Sequence, residues 1–366
     1  MEMRKPSGGD IHRKCLNLHH GVNLSNQFME LIDHCKKEPT YDDSWDLIDP
    51  HTKKKIRTVS ARDLWQKILE TRVATGEPYI CFIDTVNEAL PEPQKKLGLY
   101  VNHSNLCTEI TLPTSETRTA VCCLSSLNLE KYEEWKKDTL FIPDIVRFLD
   151  NVLQYFIDYA PEELFRARFS ANNERSIGLG AMGFHAYLQQ QNIPFQSALA
   201  KSKNLQMFKK IKEEAVAESK RLAVKRGEAP DMEGTGMRNA HLLAIAPNAS
   251  SSIICGTTSP SIEPYRANAY VQKTMSGSFL VKNKYLQKLL EKNIILWMVG
   301  CLDLCKNEKI ILNLPGRNSE IIKFIKMLEI LGKLNIPVSV FTWEPSGVWS
   351  SGLKETRGAI TRYVDA

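Results

Sequence analysis

Apolar positions recur at helical spacing in several stretches of the chain. Phe28, Met29, Leu31 and Ile32 mark one face of a helix over 24–36, and Leu64, Trp65, Ile68 and Leu69 do the same over 61–73. Ser60 offers an N-cap for the second helix and Gly76 a stop. Tyr79 to Ile83 is a short apolar run fit for a buried strand. Ile145, Phe148, Leu149, Val152, Leu153 and Phe156 trace an amphipathic helix introduced by Pro143. The stretch 197–226 reads as a long, charge-laced surface helix ended by Gly227. Further on, 309–314 is expected as strand, 318–333 as helix and 337–343 as strand. Helix and strand signals alternate, which predicts an α/β fold.

Composition narrows the class. At 366 residues and a formal charge of +6, the chain has the apolar and charged fractions of a globular protein, and the charge does not argue for nucleic acid. The densest basic run, Lys53-Lys54-Lys55-Ile56-Arg57, sits near Asp42, Asp43, Asp46 and Asp49 and predicts a solvated hairpin or loop. The longest apolar run, Ile294 to Gly300, is far too short to span a bilayer, and the polar N-terminus does not resemble a signal peptide. Nine irregularly placed cysteines suit a reducing, cytoplasmic compartment. Cys301 and Cys305 have no second Cys/His pair at zinc spacing, so core thiols are expected there and no metal site.

Chemistry concentrates in Asn105-Leu106-Cys107-Thr108-Glu109-Ile110 and in Val121-Cys122-Cys123-Leu124-Ser125-Ser126. Side chains alternate along a strand, so a strand here would put Asn105, Cys107 and Glu109 on one face. Amide and carboxylate could then hold and deprotonate sugar hydroxyls while sulfur exchanges a hydrogen atom or electrons with carbon. An ordinary strand with a buried cysteine is the competing explanation of the hexapeptide alone. Gly178, Gly180 and Gly183 imitate a dinucleotide fingerprint, but Arg175 precedes them and the downstream acid is missing; close helix packing is expected instead.

Several blocks in fixed order resemble the large subunit of aerobic (class I) ribonucleotide reductases over roughly residues 1–291. They are the hexapeptide itself, Gly76-Glu77-Pro78-Tyr79 with Phe82-Ile83-Asp84 and Asn87, Glu174-Arg175-Ser176-Ile177-Gly178-Leu179-Gly180-Ala181-Met182-Gly183-Phe184, Gly236-Met237-Arg238-Asn239, Ala246-Pro247-Asn248-Ala249-Ser250-Ser251, and Ser261-Ile262-Glu263-Pro264. The resemblance implies part of a ten-stranded α/β barrel with a central finger loop, plus a short α/β tail over 292–366. It implies reduction of ribonucleoside diphosphates to deoxyribonucleotides. By motif match Cys107 is the thiyl-radical residue, Glu109 the base for the 3′-hydroxyl, and Asn105 the amide that holds the sugar. Cys122 matches the redox cysteine through the register of Leu124-Ser125-Ser126, with Cys123 one residue away as the alternative. Asn248, Ala249, Ser250 and Ser251 match the loop that takes the substrate's phosphates, Ser250 and Ser251 being the expected donors.

The same resemblance implies a radical supplied by a metal-containing small subunit, with no cofactor in this chain. It implies a thioredoxin- or glutaredoxin-type reductant, and nucleotide effectors including ATP. The family's effector regions and first barrel half are expected upstream of Met1. Its tyrosine pair and tail thiols are expected beyond 291, so the isolated chain is expected to be inactive, a half that needs its complement or a homo-oligomer. The tail around Thr342-Trp343-Glu344-Pro345, Gly347-Val348-Trp349 and Thr356-Arg357-Gly358 resembles a mannonate dehydratase-type barrel fragment, which makes a sugar-acid dehydratase the alternative.

Overall fold

Short parallel strand pairs, each bridged by helices, carry the architecture. The computed structural model describes residues 18–274, 277–292, 298–300, 308–311, 314–336, 338–340, 352–356 and 359–363. By contacts the chain forms two units, Met1–Arg266 and Ala267–Ala366.

In the first unit β1 (Gly21–Leu24) pairs in parallel with the later strand Tyr79–Phe82. Helix α1 (Asn26–Lys37) follows β1; the Ser25 hydroxyl caps it by accepting from the Phe28 N–H. The basic run folds as expected into an exposed antiparallel hairpin of β2 (Ser44–Ile48) and β3 (Lys55–Ser60), with Lys55 bridged to Asp46 at 2.7 Å. Helix α2 (Ala61–Thr75) is capped by Ser60 and ends on Gly76, whose φ of 77° is the left-handed conformation a side chain resists. Tyr79–Phe82 is β4. Leu24, Phe28, Ala61 and Ile68 form a local core here.

The larger core surrounds β5 (Leu124–Asn128) and β6 (Gly178–Met182), again a parallel pair. The helix Phe141–Tyr159 packs Ile142, Val146, Leu149 and Leu153 into it, and the helix Ala198–Arg226 adds Met207, Ile211, Ala215 and Leu222. The segment 240–244 runs beside β6, where the Ile177 and Leu179 N–H groups donate to the carbonyls of His241 and Leu242.

The glycines of this block serve a strand, which differs from the helix packing expected of them. A Cβ on Gly178 would lie 2.3 Å from Leu124 Cδ2, and one on Gly180 would lie 2.2 Å from the Ala244 carbonyl oxygen. Backbone meets backbone there, so no side chain fits. Gly183, at φ 82°, turns the chain from β6 into the helix Phe184–Gln190.

Charges are buried in pairs. Asp150 is fully buried and accepts from Arg175 Nε at 2.9 Å and Arg226 Nη1 at 2.6 Å; Arg238 Nε lies 3.4 Å away. Asn239 closes the cluster by donating to the Arg175 carbonyl at 2.9 Å. Arg118 and Asp231 form a second buried pair, bidentate at 2.7 and 2.8 Å.

In the second unit β7 (Ala269–Thr274) and β8 (Gly277–Lys282) form an antiparallel hairpin, followed by the helix Lys284–Glu291. The strands β9 (Met298–Gly300) and β10 (Val338–Val340) pair in parallel, β11 (Gly352–Thr356) and β12 (Ala359–Tyr363) antiparallel. The helix Arg317–Lys333 matches its expected span. The strand expected over 309–314 is instead a helical turn, Glu308–Ile311. Its β-branched residues favour a strand only where a pleated neighbour receives them, and strand propensity yields to context. Cys15, Cys301, Cys305 and the motifs of 342–349 lie outside the described residues. Among the described residues no helix is long and apolar enough to cross a membrane.

Removing one member of a buried ion cluster leaves its partners uncompensated, at a cost of about 3–5 kcal/mol. Asp150→Ala should therefore lower urea-unfolding stability by about that amount, since it strands the buried Arg175 and Arg238. A midpoint equal to that of the wild type would show that the cluster is dispensable.

Candidate active site

The segment after β4 is anchored before it reaches the chemistry. Asn87 holds both backbone groups of the fully buried Val101: its Nδ2 donates to the Val101 carbonyl at 3.0 Å, and its Oδ1 accepts the Val101 N–H at 2.8 Å. Asn23, on β1, donates to the Asn102 carbonyl at 2.6 Å, and Asn102 donates to the Thr114 carbonyl at 2.8 Å. His103 fills the space over Gly21, where a Cβ would meet its ring at 2.2 Å.

Residues 105–110 then form a closed turn, not a strand that would set alternate side chains on one face. The Asn105 N–H donates to the Ile110 carbonyl at 3.1 Å, Asn105 Oδ1 accepts the Ile110 N–H at 3.1 Å, and the Thr108 N–H donates to the Asn105 carbonyl at 3.1 Å. With its backbone satisfied internally, the segment has no need of a neighbouring strand. Thr108 adopts φ 65°, an uncommon conformation for a β-branched residue and one that concentrates at functional sites. Period-two alternation therefore does not bring the side chains together. The amide does: Asn105 Nδ2 donates to Glu109 Oε2 at 2.8 Å, and Cys107 stands exposed at the tip between them.

A cleft of about 760 Å³ lies against Cys107, Thr108 and Glu109 and is walled by Leu179, Leu243, Ala244, Ile245 and Pro247. A smaller cavity of about 50 Å³ connects Glu109 with Cys122, Ser176 and His241. Cys122 is exposed; burial of its sulfur, then the Glu109 charge and the Cys107 sulfur, hold its thiol above the ordinary range. Cys123 points the other way. It is buried in the β5–β6 core with Sγ donating to the Leu149 carbonyl at 3.5 Å, and burial followed by the Asp150 charge raises its thiol. The two neighbours thus face opposite sides where the chain enters β5.

Asn248 has φ 55° and bridges β5 to the turn Ser251–Ile254. Its amide sits between Ser126 Oγ and Ser251 Oγ; the orientation that satisfies both ends donates to the Ala246 carbonyl at 2.8 Å and accepts from Ser251 Oγ at 3.2 Å. Ala249 and Ser250 are exposed, while Ser252 is buried with its Oγ donating to the Ala249 carbonyl at 3.3 Å. Of the two expected hydroxyl donors, only Ser250 is free of the Asn248 contact. Pro247 reaches the large cleft, so the loop begins at the site's edge.

A family model for the ribonucleotide reductase barrel domain matches residues 1–235 and 230–326. The ribonucleoside-diphosphate reductase large subunit of Invertebrate iridescent virus 3 is 48% identical, covering 78% of this chain and 53% of that protein. The putative large subunit of Frog virus 3 (isolate Goorha) is 51% identical, covering 79% and 50%. The chain belongs to the ribonucleotide reductase large-subunit family. Among solved structures, the Actinobacillus ureae class Id ribonucleotide reductase alpha subunit matches with a TM-score of 0.64 and 37% identity, over 75% of this chain and 47% of that one. The parallel pairs β1–β4 and β5–β6 with their helices are accordingly a piece of the reductase barrel. The chain spans about half the length of those relatives. The family match continues through residue 326, past the point at which sequence resemblance was expected to end, and does not favour a dehydratase.

Two buried side chains and one half-buried ring received no role from the sequence. Ser176 Oγ lies 3.1 Å from Glu174 Oε2 and 2.9 Å from His241 Nδ1. Burial pushes the Glu174 carboxyl up to about 7, with Asp231 adding to the effect while Ser176 and Arg118 oppose it. Burial alone brings His241 down to about 4. Glu174 and Ser176 are two residues apart, but His241 comes from a distant segment, and only the pairing of 240–244 with β6 joins them.

Two outcomes follow. Iodoacetamide should modify Cys122 in the folded chain faster than Cys123, Cys35 or Cys81, which are buried; preferential loss of the Cys123 thiol, read by peptide mass, would reverse the register. The second concerns pH. Glu174, raised in the fold, contributes stability that is full below its unfolded value of 4.5 and lost as pH rises through about 7. His241, depressed in the fold, contributes stability present above its unfolded value of 6.5 and lost as pH falls through about 4. Glu174→Gln should therefore cost more at about pH 5 than at about pH 7.5, and His241→Gln the reverse. Urea midpoints at the two pH values that move in parallel would contradict this.

Proposed function

We propose that this chain carries the active-site portion of a ribonucleoside-diphosphate reductase large subunit, with Cys107 as the hydrogen-atom-exchanging thiol. The observation that carries this reading is the turn itself, in which Asn105 holds the Glu109 carboxylate at 2.8 Å with Cys107 exposed between them at the cleft. An S–H bond is close in strength to an activated C–H bond, so sulfur can take a hydrogen atom from a sugar carbon and return it later. Glu109 then serves as general base for the neighbouring hydroxyl, and Asn105 orients it while remaining a donor to the sugar. Cys122, on the same side as Glu109, supplies reducing electrons and leaves as a disulfide with a second thiol. Ser250 and its neighbours Asn248, Ala249 and Ser251 receive the phosphates.

The reading implies partners of defined chemistry. A metal-containing small subunit supplies the radical, a dithiol of the thioredoxin or glutaredoxin type restores Cys122, and the remaining part of the large subunit or a second copy completes the barrel. Nucleotide effectors, ATP among them, would regulate the assembly. Such a cycle suits the reducing cytoplasm. The free thiols Cys107 and Cys122 are consistent with that setting.

Cys107→Ser should abolish deoxynucleotide formation in an assembly with the small subunit and the complementary half, because an alcohol O–H bond is too strong for reversible exchange. The unfolding curve should be unchanged, since residue 107 is exposed and the turn is closed by Asn105. Deoxynucleotide formation by the serine variant at the wild-type rate would sink the assignment.

A further inference from the structure

The small cavity that joins Glu109 to Cys122 has a second polar wall. Ser176 and His241 line it, and behind them Glu174 is 1% exposed with its Oε2 3.1 Å from Ser176 Oγ. Ser176 Oγ lies 2.9 Å from His241 Nδ1. A hydroxyl has one proton, so it can donate to only one of these two neighbours and must accept from the other. Two arrangements satisfy the chain. In one, a protonated Glu174 donates to Ser176, Ser176 donates to Nδ1, and the ring proton sits on Nε2. In the other, Nδ1–H donates to Ser176, Ser176 donates to a Glu174 carboxylate, and Nε2 carries a lone pair. Moving between them passes one proton between Glu174 and the cavity without moving a heavy atom.

We propose that Glu174, Ser176 and His241 form a proton relay that serves the Cys122 thiol. The proposal rests on the reading of Cys122 as a redox thiol. When an external dithiol reduces a disulfide at Cys122, two electrons break the S–S bond, the dithiol ends as its own disulfide and gives up two protons, the second sulfur takes one of them, the other enters solvent, and Cys122 emerges as a thiolate. The Nε2 proton of His241 passes to that sulfur, the Ser176 proton to Nδ1, and the Glu174 proton to Ser176 Oγ. One S–H bond forms and one carboxyl O–H bond breaks, with no net change in electrons. When Cys122 is next oxidised to a disulfide, the hydrogens of both thiols leave with the substrate, in the new C–H bond and in water, and Glu174 regains its proton from the one the dithiol left in solvent.

The electrostatics favour this direction. Glu174 lies at about 7, whereas the Cys122 thiol is held above its ordinary range, so the thiolate is the stronger base. Asp231 and Arg118 are the charged groups acting on Glu174, and Glu109 and Cys107 those acting on Cys122. His241, whose buried ring resists a full charge, is suited to passing a proton through rather than keeping it. The cavity, at about 50 Å³, has room for a bridging water between ring and sulfur. Ser176 and Glu174 are positioning residues in this scheme; they act on sulfur through the ring.

The test uses the full chain labelled with 15N-histidine. From about pH 5 to about pH 9 the His241 ring should stay neutral yet change from Nε2–H to Nδ1–H, with its midpoint near the Glu174 value of about 7. Glu174→Gln should abolish that change. In parallel, the rate of Cys122 alkylation against pH should show an inflection near 7 in the wild type that Ser176→Ala removes and Ser176→Thr restores. A His241 tautomer that is constant across this range in the wild type would overturn the relay without any substitution, as would alkylation profiles identical with and without the Ser176 hydroxyl. Failure of the underlying reading looks different: Cys122→Ser would then retain nucleotide reduction in the reconstituted assembly, whatever the tautomer does.

Discussion

A single buried carboxylate organises the larger core. Asp150 has no exposed surface, and its two oxygens are met by Arg175 from the turn before β6 and by Arg226 from the end of the long helix. Arg238 and Asn239 bring in the segment that leads to His241. Asp150, Arg175 and Arg238 have given up their water while Arg226 reaches solvent, so the buried charges would be costly if their partners moved away. The cluster therefore fixes the relative position of the helix Phe141–Tyr159, the start of β6 and the segment 238–244. Its energetic contribution as a whole is modest against an apolar equivalent; its effect is to make one arrangement much better than its neighbours.

The active-site wall depends on that arrangement. With Arg175 locked, β6 runs beside β5, and the absent side chains at Gly178 and Gly180 let Leu124 and the Ala244 backbone approach. That close approach places Cys122, at the head of β5, and Ser176, just before β6, on one cavity with His241. Where the chain enters β5, Cys122 faces outward and Cys123 faces the core near Asp150. Stability and site are in this sense one construction, and a fault in the ion cluster would reach the chemistry through backbone position.

The turn bearing Cys107 is built on a different principle. It is held by amides: Asn87 and Asn23 fix its entrance, and Asn105 closes it. Amides can bond to backbone in both directions, so they hold an exposed loop in place without burying it. Thr108 in the left-handed region is tolerated because this bonding over-determines the loop. Such a loop presents sulfur to a cleft while keeping the carboxylate of Glu109 within reach of the same space.

Much of this was written locally in the chain. Ser60 and Gly76 bound α2, Gly227 ends the helix Ala198–Arg226, and the Lys/Asp-rich stretch becomes a hairpin, because caps, breakers and short-range charge pairs act between near neighbours. The blocks whose order identified the family, the motif around Cys107 among them, were legible for the same reason, each being contiguous. Asn105–Glu109 do not alternate as a strand would, because this segment closes on itself through Asn105. The strand expected over 309–314 gave way to the helical turn Glu308–Ile311, since β-branched residues favour a strand only where a neighbour pairs with them. What the sequence could not specify locally was which remote groups would meet. Arg118 with Asp231, Asp150 with its arginines, and Glu174 with Ser176 and His241 join residues far apart in the chain. The raised Glu174 carboxyl and the lowered His241 ring follow from burial, which no local pattern encodes; the sequence by itself determined the elements and the chemical parts, and tertiary packing alone decided which of those parts were desolvated together.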